Sequence, residues 1–484
     1  MKIFDIKLFQ FLFLILPLSL VMGPTLPNII LTIIVIYYLF KNFKILFDIP
    51  FYFKVFFAFI FYLIFISLIG ETRIVSLKYS FAYLRYGLFI LAIPYILNQQ
   101  KIFKIFLYIL FFLFIFLFLD LFFQFIYKKN FFGMELFNSE RVTGMFGTRQ
   151  VAGSYALRLM PVILFLTSFF LIKNSIYKYL LIVVTLGIIL LSGERTSLFL
   201  FLVFVFFIIL VEKNFKFLIS ISTIGLIFLT AFFFLMPTQK KRFFSDTLNQ
   251  LTPEHSSKKY HIFSERHQSH YLTSYNMFRE NLLFGTGPNS FRHLCGNEKY
   301  SVEKYILENK TVRAAFDGTI IYDENYFYLN DPYNFDVEIK ASLKRDDQIF
   351  QIITIPKGSK LTIAKYASFK KDDILFIKYI EYKNGCNSHP HNFLIQILGE
   401  TGFFGFLFYF YFLYKVISFI VKNLYFLYFK NQRLKSEKYM YLAGACLINF
   451  FPFTASGNFF NSWLCIIFCI PLGLLYYLEK NKIS

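Results

Sequence analysis

All seven histidines of the chain fall between positions 255 and 391: His255, His261, His267, His270, His293, His389 and His391. The last two open the run "HPHNFLIQILGETGFFG", residues 389–405, in which two imidazoles and an amide stand directly before an apolar segment and Glu400 stands inside it. An imidazole is the side chain whose ordinary pKa lets it take a proton from a hydroxyl near neutral pH. A second set of charges sits within apolar runs: Arg85, Asp120 and Arg158, together with Glu400. Guanidinium groups stay charged and pair through two parallel hydrogen bonds with phosphate oxygens. Arginines gathered from several helices in one wet cavity therefore suit a phosphate or pyrophosphate. Taken singly, an arginine near a helix end is as readily explained by snorkelling to the interface.

The elements that must position these groups are membrane helices. The chain has 484 residues, 57% hydrophobic and 16% charged, with mean hydropathy +0.55. Soluble domains carry about 25% charged residues. Apolar runs lie at 8–22, 27–40, 55–69, 79–97, 105–127, 153–172, 179–192, 196–211, 217–236, 391–414, 439–452 and 459–478. A spanning helix needs about 20 residues, so the runs flanking "GPTLPN" and "SGERTS" read as tight hairpins of short helices. The fold expected is an all-α polytopic membrane protein of about 12 transmembrane helices. The N-terminal run lacks a clear small-x-small cleavage site and counts as the first helix.

With both termini on one side, the short loops there hold 19 Lys and Arg against 5 Asp and Glu, a net +14 of the chain's +21. The opposite short loops hold 7 against 4. Positive loops stay in the cytoplasm, which places both termini there and removes nucleic acid as the reason for the charge. Arg85, Asp120, Arg158 and Glu400 then all lie in the outer halves of their spans, and Glu194 and Arg195 at the outer tip of a hairpin. The expected organisation is helices 1–9 over residues 1–236, a large outer loop over 237–390, and helices 10–12 over 391–484. The loop's second half reads as a small β insert at about 312–383, from "GTIIYDENYFYL", "FDVEIKASL", "IFQIITI" and "ILFIKYIEY".

The stretches "RVTGMFGTRQVAGSYALRLMP" (141–161), "LSGERTSLFLF" (191–201), "ERHQSHYLTSYNMFRENLLFGTGPNSFR" (265–292) and "HPHNFLIQILGETGFFG" (389–405) occur in that order. With the long outer loop before the last helices, they resemble the O-antigen ligase and Wzy-type polymerase family over roughly residues 140–420. The resemblance implies transfer of a glycan from undecaprenyl pyrophosphate to an acceptor hydroxyl at the periplasmic face of the inner membrane, without metal or other cofactor. It implies that Arg195 and Arg266 bind the pyrophosphate, joined by Arg85 and Arg158 from the buried set, and that His391 is the catalytic base. His389 and Glu400 become auxiliary groups, and Gly285 and Gly287 of "GTGPNSF" form a turn beside the site. Where relatives often show Gly-Asn-Pro-Asn, this chain has Gly147, Thr148, Arg149 and Gln150, a departure that bears on the acceptor.

The assignment is chemically coherent. A sugar hydroxyl is a weak nucleophile that a neutral imidazole can activate, and fixed arginines can stabilise the departing pyrophosphate. Attack opposite the leaving group implies inversion at the anomeric carbon. The bland alternatives are few: paired histidines as zinc ligands lack a Cys or carboxylate at a familiar spacing, "GTGPNSF" lacks the Gly-Lys-Ser/Thr of a phosphate-binding loop, and His255 and His261 read as surface residues. Cys446, Cys465 and Cys469 fall in apolar helices. Cys295 and Cys386 flank the β insert and are expected to form a disulfide in an oxidising compartment, with Cα atoms within about 7 Å. The acceptor is a lipid A core sugar for a ligase or a lipid-linked repeat unit for a polymerase. A flippase needs polar groups along the whole crossing, and a surface sensor needs no buried arginines.

Overall fold

The computed structural model describes the backbone of residues 2–42, 49–136, 141–170, 176–212, 215–251, 265–300, 305–306, 310–316, 319–322, 339–345, 348–355, 374–378, 380–381, 385–430 and 433–481. It divides into two compact units, residues 1–293 with 387–484, and residues 294–386.

The first unit is helical. Its elements are α1 (Lys2–Met22), α2 (Thr25–Asn42), α3 (Phe51–Ile69), α4 (Arg73–Ile96), α5 (Gln100–Tyr127), α6 (Ala152–Phe170), α7 (Ile176–Ser192), α8 (Arg195–Glu212) and α9 (Phe215–Leu235). Then come α10 (Pro237–Phe243), α11 (Ser245–Leu251), α12 (Glu265–Glu280), α13 (Phe291–Leu294), α14 (Phe393–Phe429), α15 (Arg433–Asn449) and α16 (Ser462–Lys480). Among the described residues, each apolar run of the sequence overlaps one of these helices. Among the described residues, eight helices are long and apolar enough to cross a membrane, and a ninth span arises if Ser222–Leu235 and Pro237–Leu248, bent by 112°, are one crossing. The chain is a multi-pass membrane protein.

Burial separates centre from periphery. In α6 and α16, 78% of the apolar window is buried, against 33% in α2 and α3. The α16 helix packs on α4, α15, α2 and α6, and Tyr155 and Phe165 on α6, Phe89 on α4 and Phe106 on α5 are fully buried. The peripheral helices turn large apolar groups outward, such as Phe61 at 72% and Phe112 at 71% exposure. In water such a surface would aggregate; in a bilayer it is solvated by lipid chains.

One helix is broken. Inside α14, Gly402 adopts φ 64°, ψ −168°, a conformation open to glycine. The segment 282–287 docks there: Phe403 N–H donates to Leu282 O at 2.8 Å, Thr286 N–H to Gly399 O at 3.2 Å and Gly287 N–H to Glu400 O at 2.8 Å. A Cβ on Gly285 would stand 2.5 Å from main-chain atoms of residues 400–402, and one on Gly402 as close to Gly285. Two main chains touch at these glycines. Residues 237–251 and 265–293, read from sequence as part of an outer loop, thus cluster with the helices, where α12 packs on α14.

The second unit carries β1 (Tyr305–Ile306), β2 (Lys310–Phe316), β3 (Thr319–Tyr322), β4 (Ile339–Arg345), β5 (Gln348–Ile355), β6 (Ile374–Lys378) and β7 (Ile380–Glu381). β1 pairs with β7, and the remaining five form an antiparallel sheet in the order β3-β2-β6-β4-β5. β2, "KTVRAAF", has no counterpart among the strand stretches read from sequence, since its charges break the apolar alternation. Parts of the expected insert, residues 323–338 and 356–373, lie outside the described residues. Cys295 and Cys386 form a disulfide, their Cα atoms 5.2 Å apart, that joins the two ends of this unit.

Candidate functional site

His391 precedes α14 by two residues and has φ 59°. That left-handed backbone is uncommon for a residue with a side chain, so the surroundings must impose it. They do. Asn392 caps α14, accepting from Ile395 N–H at 3.0 Å, and its amide donates to Pro452 O at 2.9 Å and Thr454 O at 3.2 Å. Ser456 N–H donates to His391 O at 2.7 Å, and Tyr271 Oη reaches the same oxygen at 3.5 Å. The loop between α15 and α16 therefore holds His391 in place.

Three more imidazoles surround it. The His391 ring centroid is 4.0 Å from that of His389, 5.4 Å from that of His267 and 5.5 Å from that of His270, which is stacked on it. His267, His270 and Tyr271 lie on one face of α12 by helical spacing, and Ser274 on the next turn donates to Ile395 O at 3.0 Å. Burial pushes the His389 pKa down to about 3, helped by His391, Arg292 and His270, so its ring is neutral near pH 7. Among the described residues no group of three His, Cys, Asp or Glu side chains is arranged to hold a metal.

Glu400 lies one helical stretch further in and is buried. Its carboxyl oxygens accept from Asn289 N–H and Phe291 N–H, both at 2.9 Å, and from the Gln396 amide at 3.0 Å. Gln396 also donates to Asn458 Oδ1 at 2.9 Å and accepts from Phe459 N–H at 2.9 Å, while Asn458 donates to Asn289 Oδ1 at 2.8 Å. Glu400 and Gln396 together thus link α14, the "GTGPNSF" turn and the 452–460 loop. Gly285 and Gly287 in that turn have φ 67° and 105°.

The α7–α8 turn gathers the arginines. Gly193, φ 65°, ends α7 in the left-handed conformation that closes many helices. Glu194 then accepts from Gly153 N–H at 2.7 Å and Ser154 N–H at 3.0 Å, satisfying the start of α6. Partial burial raises its pKa above the usual carboxylate range, against the pull of Arg141 and these hydrogen bonds. Around the turn, Arg141 Nε donates to Ser192 O at 3.1 Å and Arg242 Nε to Gly193 O at 2.9 Å; Arg195 Nη2 lies 4.0 Å from Asp246 Oδ2. Three guanidinium groups face two carboxylates, a positive surplus. Burial lowers the pKa of Arg141, with Arg242 and Arg195 adding to it and Glu194 opposing.

Of the residues expected from sequence, Arg195 and Glu194 stand at this turn. Arg158 is buried, hydrogen-bonded to Asn449 Oδ1 at 3.0 Å and packed over the Phe468 ring, and it feels the Glu194 charge. Arg85 bonds instead to Asn28 Oδ1 at 2.8 Å and the Tyr86 hydroxyl at 3.1 Å. Asp120 accepts from Phe131 N–H at 3.0 Å. Arg266 is on the first turn of α12; its side chain, and all of His255 and His261, lie outside the described residues. Sequence reading missed Arg141, Arg242, His267, His270 and the 452–460 loop. The clue for the first two was present: each lies next to a chain turn on the side assigned to Arg195.

Apolar helices long enough to cross a membrane carry an imidazole cluster at the head of one of them and an arginine-rich turn between two others, so polar groups are set among the helix ends of a multi-pass membrane protein. Residues 180–317 match the family model described as O-antigen ligase, a stretch running from α7 through the arginine turn and α12 into the sheet. Over that stretch the chain is similar to the O-antigen ligase family. No curated protein and no solved structure matches it.

Proposed function

We propose that the protein transfers a glycan from undecaprenyl pyrophosphate to an acceptor sugar hydroxyl, as an O-antigen ligase does, in the assembly of a surface polysaccharide. The observation that carries this reading is the convergence of Arg141, Arg195 and Arg242 on the turn 192–195, inside the family-matched segment. Guanidinium groups pinned by Nε to carbonyls are pre-oriented, which favours stabilising a departing pyrophosphate. Arg266 and Arg158 are the further candidates for that role. His391 takes the proton from the attacking hydroxyl, and attack opposite the leaving group inverts the anomeric carbon without a metal. With twelve crossings and cytoplasmic termini, as the distribution of Lys and Arg supports, the site faces the periplasm of the inner membrane.

His391→Ala tests the reading. Transfer from an undecaprenyl-pyrophosphate oligosaccharide to its acceptor should vanish while the protein still inserts; near-normal transfer would remove the base. Polymerase chemistry is the same with a lipid-linked repeat unit as acceptor. A deletion strain separates the two: free lipid-linked polymer accumulates without a ligase, and single repeats appear on the lipid A core without a polymerase.

A further inference from the structure

After α9 the chain turns by 112° and continues as a second helical piece, Pro237–Leu248, through α10 into α11. At 1.5 Å per residue that piece is about 18 Å long, short of the roughly 30 Å of a hydrocarbon core. It also carries Lys240, Lys241, Arg242 and Asp246, charges that hydrocarbon strongly disfavours. Its place is therefore a membrane surface. The bend is held from within: Phe243 and Phe244 pack on the Phe233 ring near the end of α9, with centroids 6.0 and 5.2 Å away, and Lys240 N–H donates to Met236 O at 3.1 Å.

Helical spacing separates two faces of this piece. On one, Gln239 is buried, Arg242 Nε donates to Gly193 O at 2.9 Å and Asp246 Oδ2 stands 4.0 Å from Arg195 Nη2, so that face meets the α7–α8 turn. The other carries Lys240, Lys241, Phe244 and Leu248, all exposed, the last two at 53% and 61%. Among the described residues no carboxylate pairs with either lysine, and Asp246 on the same piece is turned to Arg195. Phe234 and Leu235, 88% and 72% exposed just before the bend, extend the apolar surface along α9. Apolar side chains beside two ammonium groups, on a helix laid against a bilayer, match a lipid with an anionic head: the former enter the acyl boundary and the lysine stems reach up to phosphate. We propose that α10 and α11 lie along the membrane surface and bind anionic phospholipid there, with Lys240 and Lys241 on the headgroup phosphate and Phe244 and Leu248 among the acyl chains. This surface uses none of the arginines of the α7–α8 turn and stands apart from the transfer reaction proposed above.

The test uses the full-length protein with Phe244→Trp in phosphatidylcholine nanodiscs, to which brominated phosphatidylglycerol or brominated phosphatidylcholine is added as quencher. The signal of the single native tryptophan, Trp463, is measured in the wild type and subtracted. The new tryptophan should be half-quenched by phosphatidylglycerol at a mole fraction about fivefold or more below that needed for phosphatidylcholine, because one lysine at an anionic surface is worth about fivefold. Lys240→Gln with Lys241→Gln should abolish the preference, and salt should weaken it. Leu248→Trp gives the same reading from the next turn if Phe244→Trp fails to insert. Quenching by neither lipid would put the segment in water and overturn its placement on the membrane. Equal quenching by both, or an unchanged preference in the double glutamine variant, would overturn the headgroup site.

Discussion

Replacing Glu400 with alanine removes one acceptor from three donors at once: the main-chain N–H groups of Asn289 and Phe291 at 2.9 Å and the Gln396 amide at 3.0 Å. A buried donor left without a partner costs about 1–3 kcal/mol. The Gln396 amide keeps Asn458, so the two main-chain groups dominate, giving about 2–6 kcal/mol for Glu400→Ala. Glu400→Gln retains an accepting oxygen but turns an amide N–H toward one donor, for about 1–3 kcal/mol. The order of stability is therefore wild type, then Gln, then Ala. Trp463 is the single tryptophan of the chain, 7% exposed, with Nε1 donating to Leu20 O at 2.8 Å. Its fluorescence during SDS unfolding in mixed micelles reports the helical unit. An alanine variant within about 0.5 kcal/mol of wild type, the range of an ordinary surface change, would refute the hub: water would then be filling the place of the carboxyl group.

Other perturbations follow the same logic. Arg195→Ala should weaken binding of an undecaprenyl-pyrophosphate donor about 10- to 100-fold, the worth of a charged hydrogen bond, measured by titration in detergent; unchanged affinity speaks against an anion site at the turn. His389 has a folded pKa of about 3 against 6.5 for a free imidazole, so the unfolded chain binds the proton first as pH falls. Stability is then full above about pH 6.5 and declines toward pH 3 by up to about 1.4 kcal/mol per unit. His389→Asn should flatten that part of the wild-type slope in SDS unfolding between pH 7.5 and 5. Cys295 and Cys386 should resist a membrane-impermeant maleimide in intact spheroplasts until reduced and then both label from outside; labelling without reductant would exclude the bond. Cys295→Ser should cost the strand-bearing unit about 4–5 kcal/mol by loop closure, seen as faster proteolysis between residues 294 and 386.

The helices were legible because a bilayer demands long apolar runs and the chain supplies them with Gly and Pro at the turns. Asn392 as a cap was legible from its place before an apolar run, and the Cys295–Cys386 pair because the other three cysteines fall in apolar helices. What was not legible depends on direction in space. Arg242 belongs to the turn at Gly193 only because the chain bends sharply after α9, and no local period encodes a bend. His267 and His270 meet His391 across more than a hundred residues, through the packing of α12 on α14. Arg85 has the same depth in its run as Arg158 yet pairs with Asn28, since depth fixes a level in the membrane and leaves the azimuth free. The 452–460 loop carries no charge, and nothing in "PFTASGNFF" advertises that it braces a histidine.

The break in α14 has a consequence for how the protein can be built. A long apolar segment translated alone would form an unbroken rod, because hydrocarbon offers its main chain nothing but its own hydrogen bonds. The bend at Gly402 exists only where residues 282–287 lend donors and acceptors to it, and those residues leave the ribosome more than a hundred positions earlier. The ribbon ahead of α13 must therefore wait at the membrane, its polar main chain satisfied by water, until α14 arrives and is folded over it. A side chain at either glycine of that crossing would drive a Cβ into the opposite main chain, so neither position tolerates one.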